Sequence, residues 1–144
     1  MGYPVVSTSY YTKRCQRFNK VLNRSKVADL IAQGEVFACK QIAGTTEWSQ
    51  HAWGNAVDLM VRNPSRPPVA VLHDLRIIAE NAVAQGTQRT LANRGIRCAV
   101  ERVIYDEKEW RKGSGWFPYT GEPHTTHVHV DFAPNETGSP PCAH

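Results

Sequence analysis

In the stretch Thr126–Phe132 (THVHVDF) polar and apolar residues alternate from His127 onward, and a period of two is the pattern of a β-strand. Val128, Val130 and Phe132 fall on the face turned to a core. His127, His129 and Asp131 share the opposite face. A second stretch, Asn55–Val61 (NAVDLMV), is short, rich in Val and Leu and preceded by a glycine, so it too is expected to be a strand. Alternation puts Ala56, Asp58 and Met60 on one side of it and Val57, Leu59 and Val61 on the other. An acid in an otherwise apolar strand needs a partner, because an isolated buried carboxylate is costly. If the two strands are neighbours, Asp58 and one of the histidines converge.

His51 lies seven positions before Asp58 and would arrive from the turn that precedes the strand. One Asp with two or three His is the inventory of a catalytic zinc site, in which three protein ligands leave a further position to water. Gly54 and Ala56 are small and leave room for an ion close to the backbone.

These residues also carry a resemblance. Ser49-x-His51-x-x-Gly54-x-Ala56-x-Asp58 resembles the SxHxxGxAxD signature of the D-alanyl-D-alanine carboxypeptidase and phage endolysin zinc peptidases, a group that includes lysostaphin and hedgehog domains. The segment from VIYDEKEW through GWFPYTGEPHTTHVHVDF is similar to the C-terminal half of its actinobacterial and actinophage members. The resemblance covers residues 36 to 133. It implies an α+β domain with one zinc ion on a central antiparallel sheet flanked by helices, and hydrolysis of an amide bond in the peptidoglycan stem peptide. By position it implies His51, Asp58 and His129 as ligands. Many relatives carry an acid as general base three residues before the last ligand, where this chain has Thr126. In the HxH branch the first histidine of the pair assists instead, and His127 matches it; an imidazole titrates in the right range for that work. His124 and Asp131 are weaker substitutes, with His124 otherwise an exposed loop residue. A basic residue upstream of the first motif is matched by Lys40, to stabilise an oxyanion or hold a carboxylate, and Ser49 is read as a partner that orients a ligand.

Size and composition suit one domain spanning residues 1–144, with a core over 12–133 and an irregular tail at 134–144. No apolar run reaches membrane-span length, and the first residues lack the apolar centre of a signal peptide. A charge of +4 favours an anionic wall mildly. Its scattered Lys and Arg form no basic track for nucleic acid. The partner expected is bacterial peptidoglycan and the state a monomer, acting on the wall or released at phage lysis. The rival readings are a non-catalytic zinc-containing wall-binding module or virion component, and a metal-dependent nuclease.

Cys15, Cys39, Cys98 and Cys142 lack the spacing of a structural zinc site, which leaves two disulfides of open connectivity or buried thiols. Helices are expected at 12–22, 26–33 and 69–85, the last ended by Gly86 and carrying His73 off its apolar stripe. Strands are expected at 35–43 and 96–105, and a turn at 63–68. The segment 107–123 reads as one long loop, whose Trp110, Trp116, Phe117 and Tyr119 either wall a substrate groove or pack over the sheet edge.

Overall fold

The structure, a computed structural model, describes residues 12–35, 51, 55–121 and 123–133, with residues 33–35 as backbone only. Its strands are β1 (Ile31–Glu35), β2 (Ala56–Val61), β3 (Val100–Tyr105), β4 (Lys108–Arg111), β5 (Gly115–Pro118) and β6 (His127–Phe132). They form one six-stranded sheet in the order β1-β2-β6-β3-β4-β5, and every neighbouring pair is antiparallel. The fold is therefore α+β. β6 lies between β2 and β3, so the two stretches with the informative alternation are neighbours.

The helices are α1 (Lys13–Asn23) and α2 (Pro68–Thr87). Thr12 caps α1 by accepting from the Cys15 amide at 3.2 Å, and its hydroxyl also donates to Asn55 Oδ1 at 3.0 Å. Asn55 Nδ2 donates to the Phe132 carbonyl at 3.0 Å, so one small network ties the start of α1 to the start of β2 and the end of β6. Pro68 opens α2, where the missing N–H is no loss. Both helices turn their apolar stripes to the same face of the sheet. Phe18, Leu22, Leu75, Ile78 and Ala82 meet Val57, Leu59, Val103, Val128, Val130 and Phe132 there, all essentially inaccessible to water.

Several expectations change. Residues 26–33 are not an α-helix: Lys26–Leu30 make a short 3₁₀ turn and Ile31 already belongs to β1, pairing with Val61. Pairing with β2 satisfies the backbone of this segment where its helical stripe was too short to compete. The strand expected at 35–43 begins earlier, at Ile31, and residues 36–43 lie outside the described residues. α2 does not stop at Gly86. The helix runs on to Thr87, and Gly86 is where it meets β3, since a Cβ there would sit 2.8 Å from Val100 Cβ. β3 begins at Val100, so residues 96–99 are not strand.

The long loop at 107–123 is instead a meander in which β4 and β5 extend the sheet. Asp106 and Glu107 form its first turn with φ of 45° and 58°, the mirror-image geometry that a two-residue hairpin needs. Its aromatics divide between the two faces. Trp110 pairs with Val103 and Trp116, and with Tyr105 these side chains stand on the helix side. Phe117 pairs with Glu109 on the opposite face.

Cys15 and Cys98 are free, buried thiols, so the open alternative of burial holds for these two. Cys39 and Cys142 lie outside the described residues. Among the described residues no helix is long and apolar enough to cross a membrane.

Candidate metal centre

The face of the sheet away from the helices carries the site. One cross-strand row runs Glu35, Asp58, His129, Ile104, Glu109 and Phe117, from β1 to β5. A second row holds Ala56, Asp131, Arg102 and Arg111. Asp58 and His129 are direct partners in antiparallel strands, where opposed side chains stand within reach of each other.

His51 joins them. Its Nε2 lies 3.1 Å from Asp58 Oδ1, and His129 Nδ1 lies 3.2 Å from the same oxygen. The His51 and His129 rings meet edge to face at 5.1 Å. Ligand atoms of His51, Asp58 and His129 all lie within 4.8 Å of one another, so this group could hold a metal ion. Both histidines are buried and Asp58 is nearly so. Two imidazole nitrogens and one carboxylate oxygen suit zinc, and suit other transition ions such as iron(II) as well.

Behind His129 stands a support that fits such an ion. Its Nε2 donates to Asp131 Oδ2 at 3.0 Å, which leaves Nδ1 facing Asp58. Arg102 donates to that same Asp131 oxygen at 2.8 Å from β3. A carboxylate that fixes the ring and tautomer of a ligating histidine is a recurrent companion of metal sites.

The charges follow from this crowding. Burial works against ionisation of Asp58, but hydrogen bonds from His129 and His51 outweigh it and hold the carboxyl well below the usual carboxylate range. Burial would lower His129, yet its bonds to Asp131 and Asp58 prevail and lift it to about 9. Asp131 is likewise held low: burial opposes ionisation, and His129 and Arg102 overcome it. The group is thus already arranged around a positive charge.

His127 stands beside the ligand set. Its Nε2 is 3.7 Å from Asp58 Oδ1, beyond hydrogen-bond length, and its Nδ1 lies 3.3 Å from Thr126 Oγ1. Thr126 therefore sits on the far nitrogen of the ring, with Nε2 turned to the cluster.

His124, read either as a weaker substitute for His127 or as an exposed loop residue, lies in a loop but is not exposed. It is half-buried, with its ring 4.8 Å from that of His127 and 6.0 Å from that of His129. Its φ of 55° is left-handed, a conformation uncommon outside glycine but one that histidine tolerates better than most. Two backbone bonds hold it there, from Asp106 N to His124 O and from Glu107 N to Pro123 O, each 2.9 Å. The hairpin turn thus presents His124 to the cluster, and Tyr119 backs it at 5.5 Å. The sequence offered one sign of this, a histidine among clustered histidines, but no period to place it.

Of the remaining candidates, Lys40 and Ser49 lie outside the described residues, as does Gly54. Trp116 stands on the helix side of the sheet, opposite Asp58 and His129, and does not wall the cluster. His73 is exposed on α2, off its apolar stripe as expected. Comparison of the chain with protein-family models, with curated proteins and with solved structures returned no match to any of them.

Proposed function

We propose that this chain is a zinc-dependent peptidase that hydrolyses an amide bond in the peptidoglycan stem peptide, on a sheet of the hedgehog and D-Ala-D-Ala peptidase kind. The observation that carries the reading is the convergence of His51, Asp58 and His129 within 4.8 Å. These are the positions that the resemblance to SxHxxGxAxD and HxH motifs marks as ligands, and they come from separate stretches of chain.

His51 Nε2, an Asp58 carboxylate oxygen and His129 Nδ1 would hold the ion, and Asp131 with Arg102 keeps the His129 ring in place. Zinc supplies a Lewis acid that polarises the scissile carbonyl and brings the pKa of water toward neutrality. His127 Nε2 stands at the edge of the ligand set, placed to take a proton from the attacking water and to return it to the leaving amine. Thr126 at its Nδ1 orients the ring. His124 packs against His127 and holds it from the other side.

A second reading is a zinc-containing wall-binding module without turnover. Thr126 favours it, because a hydroxyl there cannot act as the acid–base group that many relatives carry at this position. Metal analysis of the purified chain with a turbidity assay on bacterial cell walls separates the two, with His129→Ala as control. Zinc with clearing, abolished in His129→Ala, supports the peptidase. Zinc bound without clearing supports the module, and stoichiometric iron or absence of any metal removes both.

A further inference from the structure

On the helix side of the sheet, α2 and the β3–β4–β5 meander border an open cleft of about 510 Å³ lined by His73, Arg76, Glu80, Tyr105, Lys108 and Trp116 among others. A neighbouring cavity of about 450 Å³ shares Asp106, Lys108 and Trp116 with it and continues to Phe117 and Pro118. Together they make a groove that passes Trp116 and rounds the open edge of the sheet at β5. Trp116 is 41 % exposed, a large share for an indole on a sheet. It is not loose: it meets Tyr105 edge to face at 5.5 Å and an 81° angle, and Tyr105 is itself buried. A rigid, solvent-facing aromatic plane in a concave site is a binding feature, because it costs little entropy to use.

The charges along the groove select the ligand. Arg76 Nε pairs with Glu80 Oε1 at 2.8 Å, and Lys108 Nζ pairs with Asp106 Oδ2 at 2.9 Å. Each cation is thus matched by an acid, and Glu107 adds one unmatched carboxylate in the second cavity, so the walls offer both donors and acceptors and only a small net negative field. An anionic or cationic polymer gains little there. A ligand with apolar C–H faces and a rim of hydroxyl or amide groups fits both the plane and the pairs. Lys108 also stands 5.4 Å from the Tyr105 ring centroid, which fixes the cation beside the plane.

We infer that this groove binds a neutral oligosaccharide, one sugar ring stacked on Trp116 and its neighbours hydrogen-bonded to the Arg76–Glu80 and Lys108–Asp106 pairs. The shared lining of the two cavities favours a linear chain over a single sugar. The inference needs neither a metal nor turnover at the other face.

The test is titration of the whole chain with a tetramer of β-linked N-acetylglucosamine, followed by tryptophan fluorescence and by the indole N–H signals in a proton–nitrogen NMR spectrum. Saturable shifts of the Trp116 indole are expected, with binding weakened about tenfold or more in Trp116→Ala. Arg76→Ala, at a largely exposed helix position that leaves the fold intact, is expected to weaken it as well. A cooperative thermal unfolding transition retained by Trp116→Ala shows that this variant is folded. Absence of saturable shifts with the tetramer overturns the inference, as does equal binding by Trp116→Ala, or a response to polyglutamate and none to the sugar.

Discussion

His129 Nε2 and Asp131 Oδ2 lie 3.0 Å apart, two residues along one strand and on the same face of it. Strand alternation makes that contact, and the cross-strand position of Arg102 secures it from β3. Nδ1 is thereby left as the nitrogen that faces Asp58. Asp131→Asn retains the shape and loses the charge that fixes the tautomer. Metal affinity is expected to fall about ten- to a hundredfold, read by competition with a chromophoric chelator. Equal affinity in the variant would show that His129 is oriented by its packing alone.

Gly86 yields a second prediction, about stability. A glycine inside a helix ordinarily costs up to about 1 kcal/mol relative to alanine, so Gly86→Ala would stabilise an open site. Here the added Cβ would come 2.8 Å from Val100 Cβ, an atom fixed to the β3 backbone. Overpacking of that kind costs roughly 1–3 kcal/mol and outweighs the gain in propensity. Thermal unfolding should therefore move to lower temperature, and a rise would mean that α2 can shift away from β3.

Much of this was legible in the sequence and some was not, for physical reasons. The alternation of Val128, Val130 and Phe132 against His127, His129 and Asp131 reports a periodicity that any sheet must respect, and β6 follows it. The apolar stripe of α2, from Val71 to Ala82, is equally plain. Residues 26–33 misled because a few apolar positions at helical spacing also suit a turn followed by a strand. The β4–β5 meander hid because its strands are four residues each and its first turn is Asp106–Glu107, without the glycine that usually marks mirror-image turns. The ligand set was legible as residue types. The alternation also puts Asp131 beside His129, but the arrangement of Arg102 and His124 around them depends on strand order and on the hairpin turn, which no spacing along the chain encodes.

Cys15 offers a chemical test of the core. Burial against α1's neighbours pushes its thiol up to about 12, and only 2 % of the residue is accessible. A thiolate is the reactive form, so native protein treated with iodoacetamide at mildly alkaline pH should leave Cys15 unmodified. Denaturation should expose it at once. Cys98 is raised by burial as well, with Arg17 and Arg24 opposing, and should react more readily than Cys15. Peptide mass mapping before and after unfolding distinguishes the two. Rapid native labelling of Cys15 would mean that α1 opens away from the sheet.

The metal-free protein should show a pH dependence with a definite sign. His129 is raised from 6.5 to about 9 in the folded chain, burial opposing and Asp131 and Asp58 prevailing. A folded-state pKa above the unfolded one contributes stability that is complete below 6.5 and is lost as pH rises through about 9. The loss is on the order of 3 kcal/mol for a shift of this size. Asp58 acts in the opposite sense: its carboxyl is held low, so its contribution is complete above 3.8 and fades as pH falls further. The chelator-treated chain should therefore be most stable between these limits, with a melting temperature that declines from near neutrality into the alkaline range. His129→Asn should flatten the alkaline limb. If the proposed site takes zinc, the added ion should restore stability there, because it would replace the proton that His129 gives up. A metal-free melting temperature that stays level from pH 6 to about 10 would show that the two carboxylates do not hold His129 charged.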